Sequence, residues 1–302
     1  VPVQADGLVA KKTVMTPRSW LFVPGDSEAK AAKAPAAGAD ALIFDLEDSV
    51  APSRKAAARD MAARVLRART PGLQYWLRIN PLSSSFAADD LALPGDAMPD
   101  GIVLPKCESG ADVLALAGIL ARLERASGWP PEAIKILPIA TETARSVFNL
   151  GSYGASGPRL AGLTWGAEDL PAAVGATASR HADGTLSDLC RLARALCVAG
   201  AAAADVPAIE TVYPDFRDLA GLRTYVAQGR RDGFTGMLAI HPAQVPVINE
   251  AMTPTEAECA HAAAIIAAFE ADPNAGVVAL DGKMIDMPHL KQARRLLARV
   301  KN

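Results

Sequence analysis

The chain lacks any stretch approaching the ~18 uncharged apolar residues that a membrane-spanning helix needs, although 50% of its 302 residues are hydrophobic. That apolar content must therefore serve a folded core. Cysteine is also scarce: the four residues Cys107, Cys190, Cys197 and Cys259 form no CxxC pair and are too few to staple a chain of this length. They read as reduced thiols, which fits a cytoplasmic protein. Cys190 and Cys197 lie seven apart on a helical stretch, so they share one face and serve packing rather than metal binding. There is no excess of positive charge either. A formal net charge of −2 gives no field that would hold nucleic acid, so a phosphate-bearing ligand must be held locally.

Several motifs are missing as well. No GxGxxG follows an apolar run and no Walker-type loop is present, which removes the dinucleotide and P-loop readings. The histidines, His181, His241, His261 and His289, are scattered without HExxH or similar spacing, which argues against zinc. Residues 1–17 carry Lys11 and Lys12 but no apolar run with a small-residue cleavage site, and are expected to form a flexible arm.

What is present is an alternation of short apolar runs with Ala-rich amphipathic stretches, the pattern of strand–helix units around a parallel sheet. Strands are expected at about 19–24, 41–45, 75–80, 101–106, 134–140, 160–166, 208–213 and 237–241. Helical stretches are expected at about 53–69, 110–127, 143–151, 186–204, 216–229 and 243–251. Eight repeats favour a closed (β/α)₈ TIM barrel over residues 18–252. The loop 175–185 is longer, contains glycine and is a candidate flap. Beyond the eighth unit the spacing predicts a helix at about 254–270, a β-like piece at 277–280 and a last helix at 289–300. Residues 253–302 thus form a C-terminal helical extension, expected to pack on a neighbouring subunit.

Polar side chains at the C-terminal ends of barrel strands converge on one mouth, and charges elsewhere in a strand are buried at high cost. Here the second strand runs into Asp45-Leu46-Glu47-Asp48, the third into Arg78-Ile79-Asn80 and the fourth into Lys106. The fifth ends at Glu142, and the sixth at Glu168-Asp169. Carboxylates facing an Arg and a Lys form a candidate catalytic mouth. Each alone could equally be a structural ion pair, Lys106 in particular. Oxygen ligands with no His/Cys cluster suit a hard cation, and Glu142 and Asp169 fit Mg²⁺. Asp215 and His241, at later strand ends, could be purely structural. Lys30 and Arg18 are candidates for thioester phosphates.

Seven segments in chain order carry a resemblance: Arg-Ser-Trp-Leu-Phe-Val-Pro-Gly (18–25), Phe-Asp-Leu-Glu-Asp-Ser-Val-Ala (44–51), Arg-Ile-Asn (78–80), Leu-Pro-Lys (104–106), Glu-Thr-Ala-Arg (142–145), Trp-Gly-Ala-Glu-Asp-Leu (165–170) and Gly-Lys-Met-Ile-Asp-Met-Pro (282–288). Together they resemble the citrate lyase beta subunit family, grouped with malyl-CoA and citramalyl-CoA lyases in the HpcH/HpaI aldolase superfamily. The resemblance implies Mg²⁺ on Glu142 and Asp169 and substrate contacts from Arg78, Glu142 and Lys106. It also implies catalytic support from Asp45 and Glu47 through water, and a proton exchanged at the enolate carbon by Asp286 of an adjacent subunit.

The resemblance further implies an acyl-CoA substrate and a homo-oligomer, a trimer or a multiple of one. The activity it implies is a retro-Claisen lyase on malyl-, citramalyl- or citryl-type thioesters. Alternatives are a citryl carrier-protein lyase beta subunit working with an acyl carrier protein, or a thioesterase or synthase on the same scaffold. Ser146 departs from the glycine expected after Glu-Thr-Ala-Arg.

Overall fold

The computed structural model describes residues 16–300; most of the arm expected at 1–17 lies outside the described residues. Apolar runs rich in branched and aromatic side chains form eight strands: β1 (Ser19–Pro24), β2 (Ala41–Asp45), β3 (Gln74–Arg78), β4 (Gly101–Leu104), β5 (Lys135–Pro138), β6 (Leu163–Thr164), β7 (Ala208–Glu210) and β8 (Phe234–Ala239). They are hydrogen-bonded in the order β5-β4-β3-β2-β1-β8-β7-β6. Parallel bridges Ile136–Leu160 and Ile139–Thr164 bring β5 against β6, so the sheet closes on itself. This is the expected (β/α)₈ barrel.

Strand side chains alternate between two environments, because the pleat has period two. Trp20, Ala41, Ile43, Trp76, Val103, Leu137, Ile139, Ile209 and Leu238 pack together inside the barrel. Their neighbours, among them Leu42, Phe44, Tyr75, Leu77 and Ile102, face the surrounding helices in the larger core. Trp20 and Trp76 meet edge to face, with ring centroids 4.9 Å apart, and fill the interior. The same alternation carries the inward columns Ala41-Ile43 and Trp76 on to Asp45 and Arg78.

Helix ends follow local chemistry. The helix Gly110–Ser127 starts at Ser109, whose side chain and that of Asp112 form a capping box, and stops at Gly128 with φ 70°. The helix expected at 216–229 runs instead from Leu219 to Asp232, because Asp218 caps its start and Gly233, at φ 115°, ends it. The stretch expected as one helix at 143–151 is a short helix, Ala144–Phe148, followed by a 3-10 turn, Leu150–Ala155. β6 and β7 are shorter than expected, since side chains replace the ladder at their ends. Gly166 N–H donates to Thr141 Oγ1 at 3.1 Å and Thr211 N–H to Glu210 Oε1 at 3.0 Å.

A buried ion pair sits behind β5. Arg159 donates to both Glu124 oxygens at 2.6 and 2.5 Å, and Glu124 also accepts from the Glu132 and Ile134 amides. Both side chains are buried. Arg159→Leu would strand the carboxylate, and is expected to cost about 3–5 kcal/mol of unfolding free energy. Urea denaturation would show this as a lower midpoint.

Residues from Thr253 onward form a separate compact unit. Helix Glu256–Ala271 begins at a Thr255–Glu258 capping box. A two-stranded hairpin follows, β9 (Val277–Leu280) with β10 (Lys283–Asp286), and then helix Met287–Ala298. Asp281 and Gly282, at φ 52° and 75°, make the turn in the conformation that two-residue hairpins favour. Ala262, Ile265, Phe269, Ile285, Leu290 and Ala293 form the unit's own small core.

Candidate active site

Asp45 and Arg78 are direct register partners at the ends of β2 and β3, and both point inward. Arg78 Nε and Nη2 donate to the two Asp45 oxygens, each at 2.7 Å. Its Nη1 lies 3.1 Å from Glu47 Oε2, without hydrogen-bond geometry. Asp45 also accepts from the amides of Glu47 at 2.9 Å and Ser49 at 3.0 Å. Asp45 and Glu47 are buried, so the guanidinium is locked by two carboxylates and by stacking over Phe22, 4.8 Å from the ring centre.

Lys106 joins this group to a second one. Its Nζ donates to Glu47 Oε1 at 2.6 Å and lies 3.5 Å from Asp169 Oδ1. Its backbone N–H donates to Glu142 Oε2 at 2.5 Å. Gly166 lets the β6 loop approach Glu142: a Cβ there would stand 2.6 Å from Glu142 Cγ. Arg78, Asp45, Glu142 and Asp169 all line one cavity of about 550 Å³ at the C-terminal mouth of the barrel.

Burial pushes the Asp45 carboxyl up, but Arg78 and the two amides outweigh it and hold the group below its ordinary range. At Glu47 burial wins over Arg78 and Lys106, and the carboxyl is raised. Burial would lower Lys106, yet the carboxylates around it, Glu47 first, keep it firmly charged. Glu142 is pushed up to about 8, by burial first and then by the charges of Asp169 and Glu47, against the opposing Lys106 amide. A buried carboxylate this reluctant to ionise lacks positive charge.

A divalent cation fits that shortfall. Among the described residues no group of three or more His, Cys, Asp or Glu side chains is placed to hold a metal. An ion at Glu142 and Asp169 would rest on two carboxylates, with water and substrate oxygens completing its shell, as Mg²⁺ commonly does.

The structure thus brings Asp45, Glu47, Arg78, Lys106, Glu142 and Asp169 into one network. Asp286 belongs to the C-terminal unit, where it begins helix Met287–Ala298 and contacts His289 Nδ1. Lys30 lines the cavity. Arg18 does not reach it: this residue precedes β1, at the opposite end of the barrel, and pairs with Asp40 at 2.8 Å. Asp215 is spent on its own loop, accepting from the Arg217 amide. His241 also lines the cavity and stacks on Phe216 at 4.8 Å.

Two residues escaped the sequence reading. Glu210, fully buried at the end of β7, accepts from Trp165 Nε1 at 2.5 Å, Arg194 Nε at 2.8 Å and Tyr225 Oη at 3.2 Å. It fixes the tryptophan that precedes the Asp169 loop. Arg194 shares a helix face with Cys190 and Cys197, so the pairing had a signal in the spacing. Lys55, also buried, donates to the Leu46 and Glu47 carbonyls, both at 2.7 Å, and to Asn80 Oδ1 at 2.9 Å, which shapes the loop carrying Glu47.

A parallel barrel with an acid–guanidinium cluster at its C-terminal mouth defines a barrel enzyme, and residues 187–302 match the model of a C–C bond lyase of the TIM-barrel fold. The chain belongs to the HpcH/HpaI aldolase/citrate lyase family, whose model matches residues 18–242; it is a carbon–carbon lyase. It is 36% identical to a citrate lyase subunit beta-like protein of Mycobacterium tuberculosis, over 93% of this chain and 94% of that one. It is 35% identical to a (3S)-malyl-CoA thioesterase of Cereibacter sphaeroides, with the same coverage. Among solved structures, M. tuberculosis CitE in complex with magnesium, acetoacetate and coenzyme A superposes with a TM-score of 0.76 at 34% identity, covering 95% of this chain and 99% of CitE. No helix among the described residues is long and apolar enough to cross a membrane.

Proposed function

We propose that the chain is a Mg²⁺-dependent lyase that cleaves, or in reverse forms, the carbon–carbon bond of a 3-hydroxy-carboxyacyl-CoA thioester of the malyl, citramalyl or citryl type. The observation that carries this reading is a guanidinium fixed by two buried carboxylates in the same cavity as an oxygen-only cation pair. The similarity to a protein solved with magnesium, acetoacetate and coenzyme A supports the choice of cofactor and substrate class.

Glu142 and Asp169 would hold the cation, which when bound would supply Lewis-acid chemistry. Arg78, fixed before substrate arrives, stabilises the negative oxygen of the departing thioester enolate without reorganising. Glu47 accepts the hydroxyl proton, directly or through water, as the bond between the hydroxyl-bearing carbon and the thioester α-carbon breaks. Asp286, from residues 253–302 packed on a neighbouring subunit of a trimer or a multiple of one, gives a proton to the α-carbon. Asp45 positions Arg78, and Lys106 contacts the substrate carboxylate.

Asp286→Ala is therefore expected to leave Mg²⁺ affinity unchanged while lowering turnover by at least about 10²-fold. Calorimetry and steady-state assay separate the two; unchanged turnover removes Asp286 from the mechanism. A thioesterase is the second reading, favoured by the malyl-CoA thioesterase among the relatives. Incubation with Mg²⁺ and malyl-, citramalyl- and citryl-CoA, with EDTA as control, distinguishes them by mass spectrometry. Acetyl-CoA plus a keto acid marks the lyase. Free CoA plus the intact hydroxy acid marks the hydrolase, and inertness cured by a carrier-linked substrate marks a lyase beta subunit that works with an acyl carrier protein.

A further inference from the structure

Lys106 occupies an unusual position for a side chain with one contact to make. Its backbone sits in the left-handed region at φ 49°, a conformation that non-glycine residues adopt at a cost and keep only where their surroundings enforce it. That backbone turns its amide onto Glu142 at 2.5 Å, while its ammonium reaches Glu47 at 2.6 Å, Asp169 at 3.5 Å and Asp48 at 3.9 Å. One residue thus engages both carboxylates assigned to the cation. Arg78, the other cation in the cluster, is committed to Asp45 and Glu47. Lys106 is therefore the positive charge nearest Asp169 among the ion pairs of the described residues.

We propose that Lys106 is a tethered counter-ion that competes with the divalent cation for the acid cluster, so that cation and substrate carboxylate bind cooperatively. With no anion present, ammonium and divalent ion share Asp169, and their repulsion in a partly buried site weakens the ion's hold. A substrate carboxylate offers the ammonium a new partner and relieves that repulsion. By reciprocity the cation then strengthens anion binding by the same factor. The consequence is a site that loads metal and substrate together. Lys106 acts here as a positioning residue for charge, in addition to any contact it makes with substrate.

The inference rests on the reading that Glu142 and Asp169 hold the cation, and the experiment separates the two. Mn²⁺ binding to the full chain is followed by electron paramagnetic resonance of the free ion, with and without pyruvate as the anion probe. The proteins compared are wild type, Lys106→Met, Lys106→Arg and Glu142→Gln. Lys106→Met is expected to bind Mn²⁺ about tenfold tighter than wild type without pyruvate, and to show a smaller enhancement by pyruvate than wild type does. Lys106→Arg, which keeps the charge, is expected to behave as wild type.

Unchanged or weaker Mn²⁺ binding by Lys106→Met overturns the proposal, as does wild-type affinity that ignores saturating pyruvate; the second result needs no variant to fold. Glu142→Gln binding Mn²⁺ as wild type does would instead overturn the cation site itself. Loss of Mn²⁺ in Glu142→Gln with no effect in Lys106→Met would overturn the role of Lys106 alone.

Discussion

Arg78→Met is expected to lower the unfolding free energy by about 3–5 kcal/mol and to reduce turnover by about 10²–10³-fold or more. The stability loss follows from what the guanidinium leaves behind. Asp45 is 2% exposed and Glu47 4% exposed, and both face Arg78. Asp45 would retain two amide donors, whereas Glu47 would keep only Lys106 as a charged partner within 3 Å. With Lys106 paired to Glu47 and the Arg78 ion pair gone, the buried Asp45 must protonate or open the loop. The two effects have different cures. Adding Asp45→Asn to Arg78→Met removes one stranded charge and is expected to recover part of the stability, measured by urea titration. Turnover should stay low, since no donor faces the enolate oxygen. Full recovery of activity in the double variant would mean that Arg78 is structural.

Their places at the ends of two expected strands made Asp45 and Arg78 candidates on sequence alone, and the observed strands add their parity. Period two along Ala41-Leu42-Ile43-Phe44-Asp45 and Gln74-Tyr75-Trp76-Leu77-Arg78 places the last residue of each on the face of the interior tryptophan column. Sequence could not supply the register that sets them side by side, nor the backbone turn at Lys106 that lets one residue touch Glu142 and Asp169. These depend on strand stagger around the closed barrel.

Weak signals explain the misses. β10, Lys283–Asp286, buries only Ile285, so no alternation shows. The helix Glu28–Lys33 has six residues, under two turns, which is too short for a 3.6-residue period to register. Glu210 was an acid inside an apolar run, which signals a buried partner, yet its partners come from two helices and from the segment after β6. The helix expected at about 110–127, by contrast, runs over Gly110–Ser127, between the Ser109 cap and Gly128.

Glu142→Gln is expected to remove divalent-ion binding and nearly all turnover while making the metal-free protein more stable near pH 8. The sign follows from the direction of the shift. The Glu142 carboxyl is raised from its ordinary value to about 8 in the folded chain, so between about pH 4.5 and 8 the folded state holds a proton that the unfolded chain has released. Its contribution to stability is complete below the unfolded value and is lost as pH rises through the folded one. Glu47, also raised, tilts the curve the same way. Metal-free wild type should therefore lose stability across that window. Glutamine has no proton to lose and should remove most of the slope.

Added Mg²⁺ narrows the gap between the two proteins at pH 8. It binds the ionised carboxylate of wild type and stabilises it by about 2.7 kcal/mol at a hundredfold excess over Kd. The glutamine variant gains little. Thermal melts at pH 5, 6.5 and 8, each with EDTA and with Mg²⁺, test both halves of the argument. A variant with the wild-type slope would show that Glu142 ionises normally in the fold. A variant with the wild-type response to Mg²⁺ would move the cation to other ligands, and with it the basis for assigning Arg78 and Lys106 to the same reaction.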